Sequence, residues 1–238
     1  MDNFGISQPA EPAAKPATWL SAWPDALALA GGLALAWLLQ WQVRDLVWSL
    51  WLSSLVVGYA MIVWKIFGPL LVLGRQIRAQ DSGAGLAAAG LGLYLAGGLF
   101  MLAFFTFHFG MFHFVHSIFL NAFFPALDGK AHGGPSVALY AHVAASYWPF
   151  VVVAAVAERG AFSLPAAPLI GPGAAMGARK SGNALMEPYK NVVRMHLLIF
   201  FFAFAHFAKL ENFVVYAVVY AVYFFPWRLA RAVLRRPA

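Results

Sequence analysis

The chain contains no cysteine. That absence excludes disulfides, thiolate metal ligands and cysteine nucleophiles, and it carries little information about compartment. Charge is scarce as well, with only 11% of residues Asp, Glu, Lys or Arg. Soluble domains carry about 25%, so this surface is not built for water. Acidic residues are the rarer sign, 9 against 16 basic, for a formal net charge of +7. In a soluble protein that excess would suggest nucleic acid. Here the Lys and Arg are not interleaved with aromatics in a patch. They sit at the ends of apolar runs, where they orient a membrane protein, and no nucleic-acid partner is expected.

What fills the chain instead is apolar. Hydrophobic residues make up 62%, including 22 Phe and 9 Trp, and the mean hydropathy is +0.73. This is the composition of a polytopic membrane protein. The opening residues MDNFGISQPAEPAAKPATWL are rich in Pro and Ala and place Asp2 and Glu11 before Lys15. A cleavable signal needs a basic start and a short apolar core, so residues 1–22 read as a disordered cytoplasmic tail. Residues 23–236 read as a single transmembrane domain in contact with the lipid bilayer.

Six apolar segments follow, at about 26–41, 46–67, 86–124, 136–157, 188–208 and 213–229. Each is expected to be a helix, because a helix satisfies its own backbone within hydrocarbon. The fold expected is therefore all-α, with about six transmembrane helices. The third run, of about 39 residues, would span ~58 Å against a ~30 Å hydrocarbon core. It must tilt, project or break, with Gly97-Gly98 and Gly110 as candidate breaks. Arg44-Asp45 is read as the first separator, with Trp37, Trp41, Trp48 and Trp51 around it as an interfacial belt. Residues 75–85 read as a polar turn, PALDGKAHGGP (125–135) as a loop, and 158–187 as the longest connection. Gly171, Gly173 and Gly177 in that connection follow no strand and read as plain loop.

Alternating crossings place 13 of the 16 Lys/Arg on the side of both termini, leaving Arg44, Lys130 and Lys209 on the other. By the positive-inside rule both termini are cytoplasmic, and the expected location is the cytoplasmic (inner) membrane, multi-pass.

Six of the seven histidines fall inside these runs: His108, His113 and His116 in the third, His142 in the fourth, His196 and His206 in the fifth. Ionisable groups in hydrocarbon are costly, rarely face lipid and mark functional sites. Counting ~1.5 Å per residue from the outer helix ends gives two levels. His116, His113, His142 and His206 lie ~6–12 Å in, and His108 and His196 ~20 Å in. The upper four suggest an all-imidazole transition-metal site, with His113 and His116 at i, i+3 on one helical face. Nitrogen ligands without sulfur suit Cu, Fe or Zn. The lower pair, among Phe side chains, could instead be axial ligands of haem b. Each histidine also has a plainer reading, as a hydrogen-bonded helix-packing residue.

Other residues carry weaker signals. His132 is expected exposed in its Gly-rich loop. Tyr216, Tyr220 and Tyr223 form a packing stripe, and Met111 and Met195 read as apolar filler. Asp128 and Glu211 could orient a ligand imidazole, and Arg194 could snorkel to the cytoplasm.

The stretch FFTFHFGMFHFVH (104–116), with Met195-His196-Leu197 later, resembles an uncharacterised integral-membrane family of bacteria and haloarchaea. Its pattern is an aromatic–His–aromatic–Gly core, a second His eight residues on, and a later helix with one His. The resemblance implies that His108, His116 and His196 are shared, with His113, His142 and His206 particular to this chain or a subgroup. It implies no activity.

Three readings follow. The first is an intramembrane metal centre in the outer half of the bilayer serving a membrane oxidoreductase. The second is a b-type haem electron-transfer subunit using His108 and His196. The third is a non-catalytic accessory subunit that packs against other membrane subunits.

Overall fold

The computed structural model describes residues 19–79, 84–127 and 134–164, together with isolated positions between 193 and 218. All regular structure among them is helical: α1 (Trp19–Leu38), α2 (Val43–Ala79), α3 (Ala84–Phe123) and α4 (Val137–Ala157), then a short 3-10 turn at Arg159–Phe162. Three helices are long and apolar enough to cross a membrane, at Val43–Arg75, Gly90–Phe123 and Val137–Ala157, while α1 contributes a shorter apolar stretch, Ala26–Leu38. The expected fifth and sixth crossings lie outside the described residues, apart from isolated helical positions.

The breaks differ in detail from the sequence reading. The α1–α2 turn falls at residues 39–42, ahead of Arg44-Asp45. Gln40 adopts a left-handed φ of 51°. The Trp41 amide bonds Ala36 O (2.9 Å) and the Gln40 amide bonds Trp37 O (3.3 Å), the double closure of a Schellman cap. Asp45 does not end a helix; it starts one. Its Oδ2 accepts the Gln42 amide (2.8 Å), half of a capping box, and its Oδ1 accepts the Tyr147 hydroxyl (2.6 Å), tying the turn to α4.

Helix α2 runs through the supposed 75–85 turn as far as Ala79, and α3 begins at Ala84. Polar residues there extend the helices instead of bending the chain. Nor does α3 break at Gly97-Gly98 or Gly110. It is one helix of 40 residues, ~60 Å long, so it must tilt or project. At Gly98 a Cβ would come within 3.1 Å of Ile66, so this glycine lets α2 approach. Ser136 caps α4 by accepting the Leu139 amide (3.2 Å), close to the expected boundary.

Helix α2 is central, packing on α3, α4 and the 3-10 turn, while α4 also packs on α1. The main core joins Leu46, Trp48 and Trp51 of α2 to Leu120 of α3 and to Leu139, Val143 and Phe150 of α4. The expected tryptophan belt is corrected here. Trp37 is exposed, but Trp48 and Trp51 are buried. Buried indoles need acceptors, and Trp48 Nε1 donates to Phe124 O (2.8 Å).

Candidate functional site

The N-terminal third of α2 carries three buried hydroxyls, Ser49, Ser53 and Ser54. Ser49 and Ser53 donate to carbonyls one turn back, Leu46 O (2.8 Å) and Leu50 O (3.0 Å), as helical serines in apolar surroundings do. Ser54 instead faces α3, with its Oγ 3.3 Å from His113 Nε2.

His113 is 1% exposed and held on all sides. Its Nδ1 lies 3.0 Å from Phe109 O. A carbonyl can only accept, so Nδ1 carries the hydrogen, and in the neutral ring the Nε2 lone pair points at Ser54. The Phe109 ring tilts against the imidazole at 4.3 Å between centres. Trp51 Nε1 donates to the His113 carbonyl (2.9 Å). Trp51 also lies parallel to Tyr140 of α4, at 5.8 Å and 9°. Ser117 gives its single proton to Phe114 O (2.6 Å). The Tyr140 hydroxyl, 2.8 Å from Ser117 Oγ, must therefore donate to it. Three helices thus converge on one buried polar seam.

His116 belongs to the same seam. It is 3% exposed, and its ring centre lies 6.2 Å from that of His113, nearly perpendicular to it. The residue is engaged by its neighbours, while its Nδ1 atom makes no hydrogen bond. Asn121, five residues further along α3, is also buried.

The remaining expected ligands do not all join this pair. His142 is exposed on α4. It lies two residues, or about 200°, from Tyr140, which faces α2 and α3, so it points away from the seam. His108 is exposed on α3, stacked on Phe104 (5.5 Å, 11°) and edge-on to Phe112 (5.0 Å). His196, His206, His132, Met195, Arg194, Asp128, Glu211 and the Tyr216/Tyr220/Tyr223 stripe lie outside the described residues. Among the described residues, no three His, Asp or Glu side chains are grouped to hold a metal. Met111, read as filler, is instead exposed on α3.

Sequence reasoning missed Ser54, Ser117, Tyr140 and Trp51 as seam members. A signal was present: hydroxyls and indoles in the middle of apolar runs must bond to something. Which histidine they would meet depends on helix rotation, which a hydropathy profile does not carry.

No curated protein and no solved structure is significantly similar to the chain. A family model matches residues 11–225, nearly the whole chain and all of the described helices. The chain belongs to that family, DUF6498, a family of unknown function.

Proposed function

We propose that this membrane protein builds a functional centre on His113 and His116, in the outer half of the bilayer, and that the centre is a transition-metal site (Cu, Fe or Zn). One observation carries the reading: two imidazoles at i, i+3, both nearly inaccessible, share a polar seam inside an apolar crossing. Burying two ionisable groups there is costly, and such residues mark function by default. Two donors do not complete a metal shell, so further ligands are required, with His206, outside the described residues, the first candidate. A redox ion at this depth suits a membrane oxidoreductase. The frame proposed around it has six crossings, with both termini cytoplasmic.

Metal analysis of protein purified in mild detergent tests the centre. A stoichiometric non-haem metal is expected, reduced severalfold in His116→Ala and His113→Ala and unchanged in His142→Ala. Equal metal content in all four proteins would sink the site. Cysteines introduced singly at Lys130 and Arg179 should label from opposite sides of the membrane, and labelling from the same side would overturn the six-crossing frame.

A second reading rests on His108. Its ring lies between two phenylalanines on an exposed apolar face of α3, surroundings that suit the edge of a porphyrin. A b-haem ligated by His108 and His196 would give a Soret band that His108→Ala abolishes. No Soret band in purified protein would reject it.

A further inference from the structure

Helix α3 has a second face that the polar seam does not use. Gly97, Met101, Phe104, His108, Met111 and Val115 follow one another in steps of four and three residues. That spacing keeps a row in line along a helix and is the spacing of a helix–helix seam. The row is open: Met101, Phe104, Met111 and Val115 are between 36% and 49% exposed, and Phe100 and Phe107 beside it are 65% and 70% exposed. A Cβ at Gly97 would meet nothing within 4 Å, whereas one at Gly98 would press on Ile66 of α2. Bulky apolar side chains alone would suit lipid. Two members of the row do not. Glycine lets a second backbone come close and is enriched where membrane helices pack. A histidine ~20 Å into the bilayer rarely faces lipid, yet His108 is exposed in the middle of this row.

We infer that this face of α3 is a docking surface for a second copy of the chain. Two copies inserted in the same orientation pair through a two-fold axis along the membrane normal. Their α3 helices then run parallel, and each residue of the row meets its own counterpart at the same depth. Such a face must be complementary to itself, and this one is. Helix α3 carries no Asp, Glu, Lys or Arg that would oppose its like. The polar group at the middle of the row is an imidazole, which in its neutral form has one donor and one acceptor nitrogen. One His108 can therefore donate to the other, an interaction that a lipid chain does not offer. At Gly97 the paired backbones approach closely, and the four-and-three spacing sets a left-handed crossing of ~20°. The inference is independent of the metal reading, because His113 and His116 lie on the buried side of the same helix. It competes with the b-haem reading for His108.

The complete absence of cysteine makes a direct test available, since any thiol introduced into the full-length protein is the only one. Oxidation of native membranes holding Met101→Cys or Met111→Cys should give mostly disulfide-linked dimers. Val152→Cys, at an exposed position on α4, should stay mostly monomeric. Wild type reconstituted in bilayers at low protein-to-lipid ratio should count as a dimer by single-molecule photobleaching. Gly97→Leu should raise its dissociation constant about tenfold or more by holding the backbones apart, and His108→Leu roughly threefold, as for one average interhelical hydrogen bond. Both substitutions fall at exposed positions, and unchanged helix content by circular dichroism checks that the fold is kept. A monomeric wild type overturns the proposal. So do row cysteines that crosslink no better than Val152→Cys, whether lipid or a different protein then covers the face. Dimers indifferent to both Gly97→Leu and His108→Leu would overturn it as well.

Discussion

His108 and His113 are five residues apart on the same helix, and their surroundings are opposite. His113 is enclosed against α2, its ring nitrogens facing Phe109 O and Ser54 and its carbonyl bonded by Trp51. His108 looks outward from between two phenylalanine rings. Five positions turn a helix by about 140°, enough to exchange a packed polar seam for an open apolar face. The same contrast holds along the whole of α3. In its most apolar window only 6% is buried, against 39% for α2. Both helices are equally credible as membrane spans, yet one is a hub and the other touches the described structure along a single stripe. Hydropathy measures the tendency to enter lipid; it does not measure which neighbours a helix keeps once there.

The largest effect expected on this contrast comes from tryptophan. Trp51→Ala removes a buried ring that stacks on Tyr140 and bonds the His113 carbonyl. It should destabilise the protein by about 3–5 kcal/mol. Trp37→Ala, at an exposed ring, should change stability by about 0.5 kcal/mol or less. Thermal unfolding in one detergent, followed for both variants, measures the difference. Equal shifts would mean that the seam is not a packing centre.

Glycine sharpens the comparison further. At Gly58 a Cβ would lie 2.6 Å from Cζ of Phe109, whereas at Gly110 it would meet nothing within 4 Å. Phe109 is trapped between Gly58 and the His113 ring, so it cannot retreat without displacing the imidazole. Gly58→Ala should therefore cost about 1–3 kcal/mol by overpacking and, if the proposed centre holds a metal, weaken its binding at the same time. Gly110→Ala should be neutral or stabilising by up to about 1 kcal/mol through helix propensity. A Gly58→Ala protein with wild-type stability and metal content would show that α2 and α3 do not meet as closely as this.

These pairs also show what the sequence could reveal. The four described helices were legible, because long runs without charge admit few alternatives in lipid, and the start of α4 was legible from Pro135 and Ser136. That His113 and His116 share one face of α3 was legible from their i, i+3 spacing; that this face, and not that of His108, is the buried one was not. The α2 and α3 ends were misread because polarity was equated with a turn, although Arg75 and Arg78 are compatible with helix. The four tryptophans were read as a belt because they cluster near a helix end. Trp48 and Trp51 are turned inward by α2's packing on α3 and α4, information that resides in tertiary contacts alone. His142 was grouped with the others by depth, and depth along a helix says nothing about direction around it.

The smallest effect concerns the link between α3 and α4. Ser117 has already given its proton to Phe114 O, so Tyr140 acts as donor in the 2.8 Å contact between them. Tyr140→Phe removes that one hydrogen bond and leaves Ser117 with its carbonyl partner. The ring itself is kept, and with it the parallel stacking on Trp51. Interhelical hydrogen bonds in membranes average about 0.6 kcal/mol, so the loss of stability should be near that figure. Tyr59→Phe offers a matched control three turns away along α3, where the Tyr59 hydroxyl of α2 lies 2.7 Å from an exposed Thr106. Thr106 also bonds its own helix at Leu102 O, and any bond lost there is the less buried of the two. Tyr140→Phe should therefore exceed Tyr59→Phe by a few tenths of a kcal/mol, a difference within reach of replicate chemical unfolding. The reverse order would show that the exposed face of α3 is covered in the membrane by something that makes its hydrogen bonds count for more than those of the seam.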